Sequence, residues 1–464
     1  MELPQQLHIT EFGAEQSQPD RTARAETAAG GALRLVRQLC AALEEEKVNY
    51  CHWKSNNALH RSASGENDLD LLVDRSDCEL FTGVLSRLGF KEFLEAADTA
   101  VPGIRNFYGY DSEADRFVHV HAHFQLILGH DLSKNFCIPV ERAYLSTAAQ
   151  SGLFRVPSAE FELIIFVIRM ILKHFTWDTI LTGQGHLSPN ERGELDDLCA
   201  RADRQEVERI LSAHLALIGK DLFADCLDLL QKKHALLKQI ITGQKLLARL
   251  KTFARRPYLF DAALRFWRRY KFGLQRRLLK RSFRKIPASG GAVVAILGGD
   301  GAGKTTALDG LYQWIAPHMR AARVHLGKPK WSWQTVLVRG VLKAGTLTGL
   351  SKFDEQPGAY TAAPPKDGFS DYAWAIRSVC LARDRFLAYS RARRLAADGC
   401  IVFCDRFPLP QFMPMDGPRI EAAAGGQPQN WFIRRLSQIE QGYYRRIMQP
   451  EIIFVLKLAP EAAV

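Results

Sequence analysis

Residues Gly298-Gly299-Asp300-Gly301-Ala302-Gly303-Lys304-Thr305 match the pattern G-x-x-x-x-G-K-[ST] in full. An apolar run, Ala292 to Leu297, leads into them, and a segment of helical period follows from about Thr305. The spacing has a physical cause. Glycines let successive backbone N–H groups turn inward around phosphate oxygens, and a helix N-terminus adds its partial positive charge. Lys304 would reach the β- and γ-phosphates, and the Thr305 hydroxyl would ligate Mg²⁺. A glycine-rich turn that happens to contain Gly-Lys-Thr is the alternative, and the strand before and helix after weigh against it. The expectation is a site for ATP with Mg²⁺.

Two further clusters could do chemistry. In Gly65 to Asp74, Leu69, Leu71 and Val73 share one face of a strand while Asp68 and Asp70 share the other. Two carboxylates on one face can hold divalent ions against a triphosphate. The plainer reading is an edge strand with solvated acids. His119, His121 and His123 likewise alternate along one strand, which suits either a zinc site or a polar sheet face. Same-face neighbours stand ~6–7 Å apart along a strand, so convergence of all three is awkward. Finally, Asp405-Arg406-Phe407 follow the apolar run Ile401 to Cys404, at the strand end where open parallel sheets bind ligands. A strand-end ion pair is the alternative there.

These residues need elements to hold them. Ala32 to Glu45 reads as an amphipathic helix, Tyr50 to Asn56 as a helix-like stretch and Ala159 to Phe175 as a mostly buried helix. More helices follow to about Leu247, with Asp196, Asp197 and Asp203 on a solvated face. Arg323 to Leu326, Ile401 to Cys404 and Ile452 to Leu458 supply strands beside the glycine run. Tyr372 to Ala397 is a long helix ended by Gly399, and residues 331–370 read as an irregular insertion. The resulting division is a disordered tail (1–29), an α+β domain (30–155), a helical extension (156–244), a basic helical connector (245–290) and an α/β domain (291–464).

Composition bounds the rest. A 464-residue chain, 47% hydrophobic and 24% charged, fits two or three globular domains. Nine scattered cysteines without a C-x-x-C pair suit a reducing compartment, and no signal-like segment opens the chain, so a cytoplasmic protein is expected. Between Lys245 and Lys285 there are 15 Lys/Arg against Asp261 alone, a local balance of +14 against +12 for the whole chain. Pro257 divides this basic segment into two helical pieces. It reads as a connector, as peripheral contact with an anionic membrane through 245–285, or as a nucleic-acid contact, the last the least favoured.

Two resemblances sharpen these readings. Lys54-Ser55, Asp68-x-Asp70 and the LSRLGF segment (Leu85 to Phe90) resemble the nucleotidyltransferase superfamily, in its branch with Lys-Gly in place of Gly-Ser. That resemblance implies nucleotidyl transfer through metal held by Asp68 and Asp70. His119 stands where many members carry a third carboxylate. From Gly291 onward the chain resembles the thymidylate kinase family of nucleoside monophosphate kinases. The residues that carry this are the glycine run with Asp300 and Thr306, the Asp405-Arg406-Phe407 triplet and Ala459-Pro460-Glu461, which is similar to the start of that family's lid.

The kinase resemblance implies a P-loop parallel sheet flanked by helices. Gly298 to Thr306 would bind ATP, and Lys304, Asp405 and Arg406 would be catalytic. Asp405 would order the metal's water shell, and Arg406 would grip the acceptor phosphate, with Arg383 or Arg385 as a further acceptor contact. Gly327-Lys328-Pro329 replaces the family's Arg-Glu-Pro-Gly loop, so the acceptor is expected only to be nucleotide-like or another phosphorylated small molecule. The fused arrangement resembles proteins of cell-surface polysaccharide pathways. The chain ends where the lid would begin, so an incomplete C-terminus is expected. A nucleotide-binding, membrane-proximal scaffold without turnover is the reading from a different class.

Overall fold

The computed structural model describes residues 10–12 and 31–456, apart from 97, 182, 184, 233, 279–283, 300, 348–367, 410–416, 425, 427 and 429. The chain divides into two compact units, Gln18–Phe283 and a second made of Met1–Ser17 with Arg284–Val464. Strand β1 (Thr10–Phe12), which lies in the tail expected to lack structure, belongs to the second unit.

In the first unit, helix α1 (Arg34–Glu45) buries Leu35, Val36, Leu39, Cys40 and Leu43, the spacing of one helical face. Five strands follow: β2 (Tyr50–His52), β3 (Leu69–Val73), β4 (Lys91–Leu94), β5 (Ile104–Asp111) and β6 (Arg116–His123). They lie in the order β4-β5-β6-β3-β2, and β3 runs parallel to β6 while the other pairs are antiparallel. Tyr50–His52 is thus a strand and not the start of a helix. Pairing with β3 buries all three residues, which a helix turned half to solvent could not do. Strand β3 is interior, between β2 and β6, and so not the solvated edge.

Leu69, Leu71 and Val73 join Val118, Val120 and Ala122 in a core closed by α1 and by helix α2 (Cys78–Arg87). By strand alternation, Asp70, His119, His121 and His123 take the opposite face. There Cys51, Trp53 and Leu72 enter a separate core with the helices that follow. Helix α3 (Ala159–His174) is apolar nearly all round, as a central helix must be, and Ser158 caps it by accepting from the Phe161 N–H. Around it lie α4 (Pro189–Arg201), α5 (Arg204–His214), α6 (Lys220–Gln231) and α7 (Leu236–Arg249), and α8 (Tyr258–Leu278) closes the unit after Pro257.

The second unit is a parallel sheet between helices. Strands β7 (Ala292–Gly298), β8 (Ala321–His325), β9 (Ile401–Asp405) and β10 (Ile452–Leu456) take the order β1-β10-β7-β9-β8. All four neighbouring pairs in that order are parallel. Central strand β7 buries both faces, so it reads as a continuous apolar run. Val294 and Ile296 pack with helix α9 (Lys304–Ile315), and Val293, Ala295 and Leu297 pack on the side of helix α11 (Gly368–Ala397). Between these helices, the described part of 331–370 is not irregular: Trp333–Leu347 form helix α10. Helix α12 (Trp431–Tyr444) precedes β10, and Asn430 caps it.

One close approach is steric. Gly243 of α7 lies where an added Cβ would sit 1.9 Å from the Phe175 carbonyl oxygen, whereas Gly193 of α4 has nothing within 4 Å. Urea unfolding is expected to show Gly243→Ala losing about 2–4 kcal/mol, because backbone must shift to admit a methyl. Gly193→Ala should instead gain up to ~1 kcal/mol from helix propensity.

Candidate functional site

The glycine run of the second unit turns between β7 and α9. Gly298 passes close to β10, and a Cβ there would lie 2.8 Å from the Leu456 carbonyl oxygen. Gly303 holds φ +74°, a left-handed conformation that glycine adopts without steric cost, and Lys304 opens α9 directly after it. The Lys304 ammonium folds back to the Gly299 carbonyl oxygen, while Thr305 and Thr306 are exposed on the first turn. Gly299, Gly301 and Ala302 complete the described turn; Asp300 and Ala459-Pro460-Glu461 lie outside the described residues.

Asp405 ends β9, opposite Ile296 of β7 on one side and His325 of β8 on the other. Its Oδ1 accepts the Leu326 N–H at 3.1 Å and contacts the His325 ring Nδ1. This tether was not legible in the sequence, because it depends on which strand lies beside β9. Arg406 holds φ +46°, unusual for a non-glycine residue and a cost on the order of 1–3 kcal/mol. A Cβ on Gly327 would come within 2.4 Å of the Arg406 Cδ, so glycine at 327 leaves room for that side chain. Phe407 is buried edge-on against Tyr389. Of the two arginines of α11 considered as acceptor contacts, Arg385 is fully buried, bonded to the Leu326 carbonyl at 3.2 Å and the Tyr444 hydroxyl at 2.8 Å. It braces the residue after β8 from inside. Arg383 is half-buried.

On the sheet of the first unit the two aspartates have separate partners. Asp68 pairs with His119 Nδ1 at 2.7 Å, and that ring stacks on Tyr108 and meets Asn106 Oδ1 at 3.1 Å. Asp70 Oδ1 meets the Lys54 ammonium at 2.9 Å and His121 Nδ1 at 3.0 Å. The parallel register explains this, for Asp70 lies opposite His121, and Leu72 opposite His123. His123 Nε2 in turn lies 3.4 Å from His121 Nδ1. Asp70, His121 and His123 are the one metal-capable group of three among the described residues. His119 is not part of it, so the three histidines do not converge.

Burial and charge set the titration here. Burial opposes ionisation of Asp70, but the Lys54 ammonium and the His121 hydrogen bond outweigh it and hold the carboxyl well below its usual range. Burial pushes the His121 imidazole down to about 4 and His123 well below its ordinary value, so both rings are neutral. Lys134, in a left-handed loop position, is lowered to about 8, first by burial and then by the nearby Lys54 ammonium. No pattern in the sequence points to Lys134.

Nor did the helical extension show chemistry in its sequence, yet it anchors Lys54. Glu194 of α4 accepts the Ser55 N–H at 3.0 Å and its hydroxyl at 3.2 Å, and pairs with Arg169 of α3. Ser55 takes φ +57° in this clamp.

Three cations of the basic segment turn inward, while Lys245, Arg249, Lys251 and Arg277 are exposed. Arg265 of α8 pairs with Asp178 at 2.8 Å and Asp261 at 3.2 Å, Lys271 pairs with Asp98, and Arg268 reaches the Leu132 carbonyl. Outward face Leu259, Phe260, Phe266, Trp267, Tyr270 and Leu274, all exposed. Among the described residues no helix is long and apolar enough to cross a membrane.

No family model matches the chain, and no curated protein matches it.

The coupling between Lys54 and Lys134 is open to measurement. Side-chain carbon NMR of labelled lysine should find Lys134 titrating near pH 8. Replacing Lys54 by Met removes a repelling charge and should move that midpoint upward; an unmoved midpoint would show that burial alone sets it.

Proposed function

We propose that the second unit is a P-loop kinase domain of the thymidylate kinase type. It would transfer the γ-phosphoryl group of ATP to a nucleotide-like or other phosphorylated small acceptor, in cell-surface polysaccharide metabolism. The observation that carries this reading is one juxtaposition. The glycine turn from β7 into Lys304 of α9 lies beside a carboxylate, Asp405, at the same end of the neighbouring parallel strand. Phosphoryl transfer asks for charge neutralisation and in-line positioning more than covalent help, and these residue types supply both. Gly298 to Thr306 would cradle the donor phosphates, and Lys304 would neutralise them. Thr305 would hold Mg²⁺, which lowers the charge between donor and acceptor. Asp405, oriented by the Leu326 N–H, would order that ion's water shell, and Arg406 would take the acceptor phosphate.

Nucleotidyl transfer at Asp68 and Asp70 has weaker support, because each carboxylate already serves a different partner. For the membrane-proximal reading there is a specific observation. The exposed stripe on α8 repeats at helical spacing over most of its length, and exposed Lys251 and Arg277 belong to the same segment. We infer that this face rests on an anionic lipid surface, apolar side chains in the headgroup boundary and flanking cations over lipid charge.

Two assays test these readings. Intact protein with γ-labelled ATP and a panel of nucleoside monophosphates should yield a labelled product. Lys304→Ala should abolish both product and Mg·ATP uptake by calorimetry. Asp405→Asn should keep uptake and lose on the order of 10²–10³ in kcat. Uptake without product across the panel would favour the scaffold instead. In the second assay, sedimentation should pull the protein down with phosphatidylglycerol vesicles and not with phosphatidylcholine alone. Phe266→Glu combined with Trp267→Glu should cut partitioning by at least ~10-fold, and equal partitioning of that variant would refute the lipid contact.

A further inference from the structure

We propose that Asp70, His121 and His123 bind a divalent transition-metal ion of the zinc class, in a site that excludes Asp68 and disfavours Mg²⁺. One ligand atom from each of the three residues lies within 4.8 Å of the others, on strands whose pairing fixes their spacing. Asp70 and His121 are mostly buried and His123 is 1% exposed, so little reorganisation separates this arrangement from a coordination shell.

Proton bookkeeping gives an independent reason. His121 Nδ1 faces both the Asp70 carboxylate and His123 Nε2. If His121 Nδ1 carries the hydrogen, it serves Asp70, and His123 must hold its own hydrogen on Nδ1, which is buried without an acceptor. If His123 Nε2 carries it instead, the His121 lone pair points at an anionic oxygen with no hydrogen between them. Neither neutral tautomer pair satisfies the cluster. A cation among the three atoms takes both imidazole lone pairs and the carboxylate charge at once.

The donors decide the class of ion. Two imidazoles and one carboxylate suit zinc, cobalt, iron or manganese, and leave positions open for a further ligand. Mg²⁺ wants oxygen donors in near-octahedral array, and the second carboxylate it would need, Asp68, is paired with His119. The Lys54 ammonium, 2.9 Å from Asp70, is the competitor the ion must displace. With Lys54 and Lys134 both close to Asp70, the loaded site would favour an anionic co-ligand such as phosphate.

The test uses the intact chain, stripped with chelator and titrated with Co²⁺, and does not depend on nucleotide binding by the other unit. Expected are visible d–d bands at about one Co²⁺ per chain, removed by Zn²⁺ and untouched by a large excess of Mg²⁺. His121→Gln and His123→Gln should each weaken binding at least ~10-fold, and Asp68→Asn should leave it unchanged. Lys54→Gln should tighten binding roughly ten-fold by removing a like charge. Circular dichroism of each variant separates ligand loss from unfolding. Loss of the bands in Asp68→Asn, displacement by Mg²⁺, or full binding by both histidine variants would overturn the proposal. So would a thiolate-to-cobalt charge-transfer band, which would put the ion on the cysteines.

Discussion

Register between parallel strands is the constraint on which both sites depend. Apolar residues set it: Leu69, Leu71 and Val120 in one sheet, Val293 to Leu297 and Val402 in the other, all almost wholly buried. A slip of one residue would turn Leu69, Leu71 and Val120 out of their core, and in the second sheet it would exchange the two cores that Val293 to Leu297 pack into, so the register is strongly held. What it delivers is chemistry on the remaining positions. Asp70 is brought opposite His121, and Asp405 is set between Ile296 and His325. Neither carboxylate chooses its neighbours; the apolar residues one step away choose for it.

The polar groups then fix one another. In the first unit the clamp from Glu194 and Arg169 holds the Ser55 turn, and that turn presents Lys54 to Asp70. In the second, a backbone N–H and an imidazole from the end of β8 hold Asp405, while Arg385 ties the same strand end to α12 from below. Each site is thus braced from a helix on one side and a strand on the other. That is how a few partly buried polar groups keep their geometry.

Locally encoded features were legible in the sequence. The strand, glycine turn and helix around Lys304 are contiguous, and their periodicity changes where the turn falls. The alternation that sets Asp70 opposite in face to Leu69 and Leu71 is likewise a property of five consecutive residues. What escaped depends on distant partners. Tyr50–His52 looked helical because its pairing strand lies beyond an intervening turn. That Asp68 and Asp70 part company follows from which histidine the neighbouring strand sets opposite, and a single strand cannot reveal it. Lys134 and Glu194 reach the Asp70 region from segments far along the chain. The inward turn of Arg265 and Lys271 on α8 rests on Asp178 and Asp98, 87 and 173 residues upstream, so the composition of the segment alone could not show it.

That reversed helix divides electrostatics into two populations. Arg265 is buried between two buried carboxylates, where salt screens charge much less than at the surface, so ionic strength leaves its hold on the fold nearly intact. Lys251 and Arg277, in contrast, face solvent and feel every added ion. One stretch of chain therefore combines a salt-blind anchor with a salt-tunable outer surface. Added salt therefore weakens what the outer cations attract without loosening what Arg265 holds.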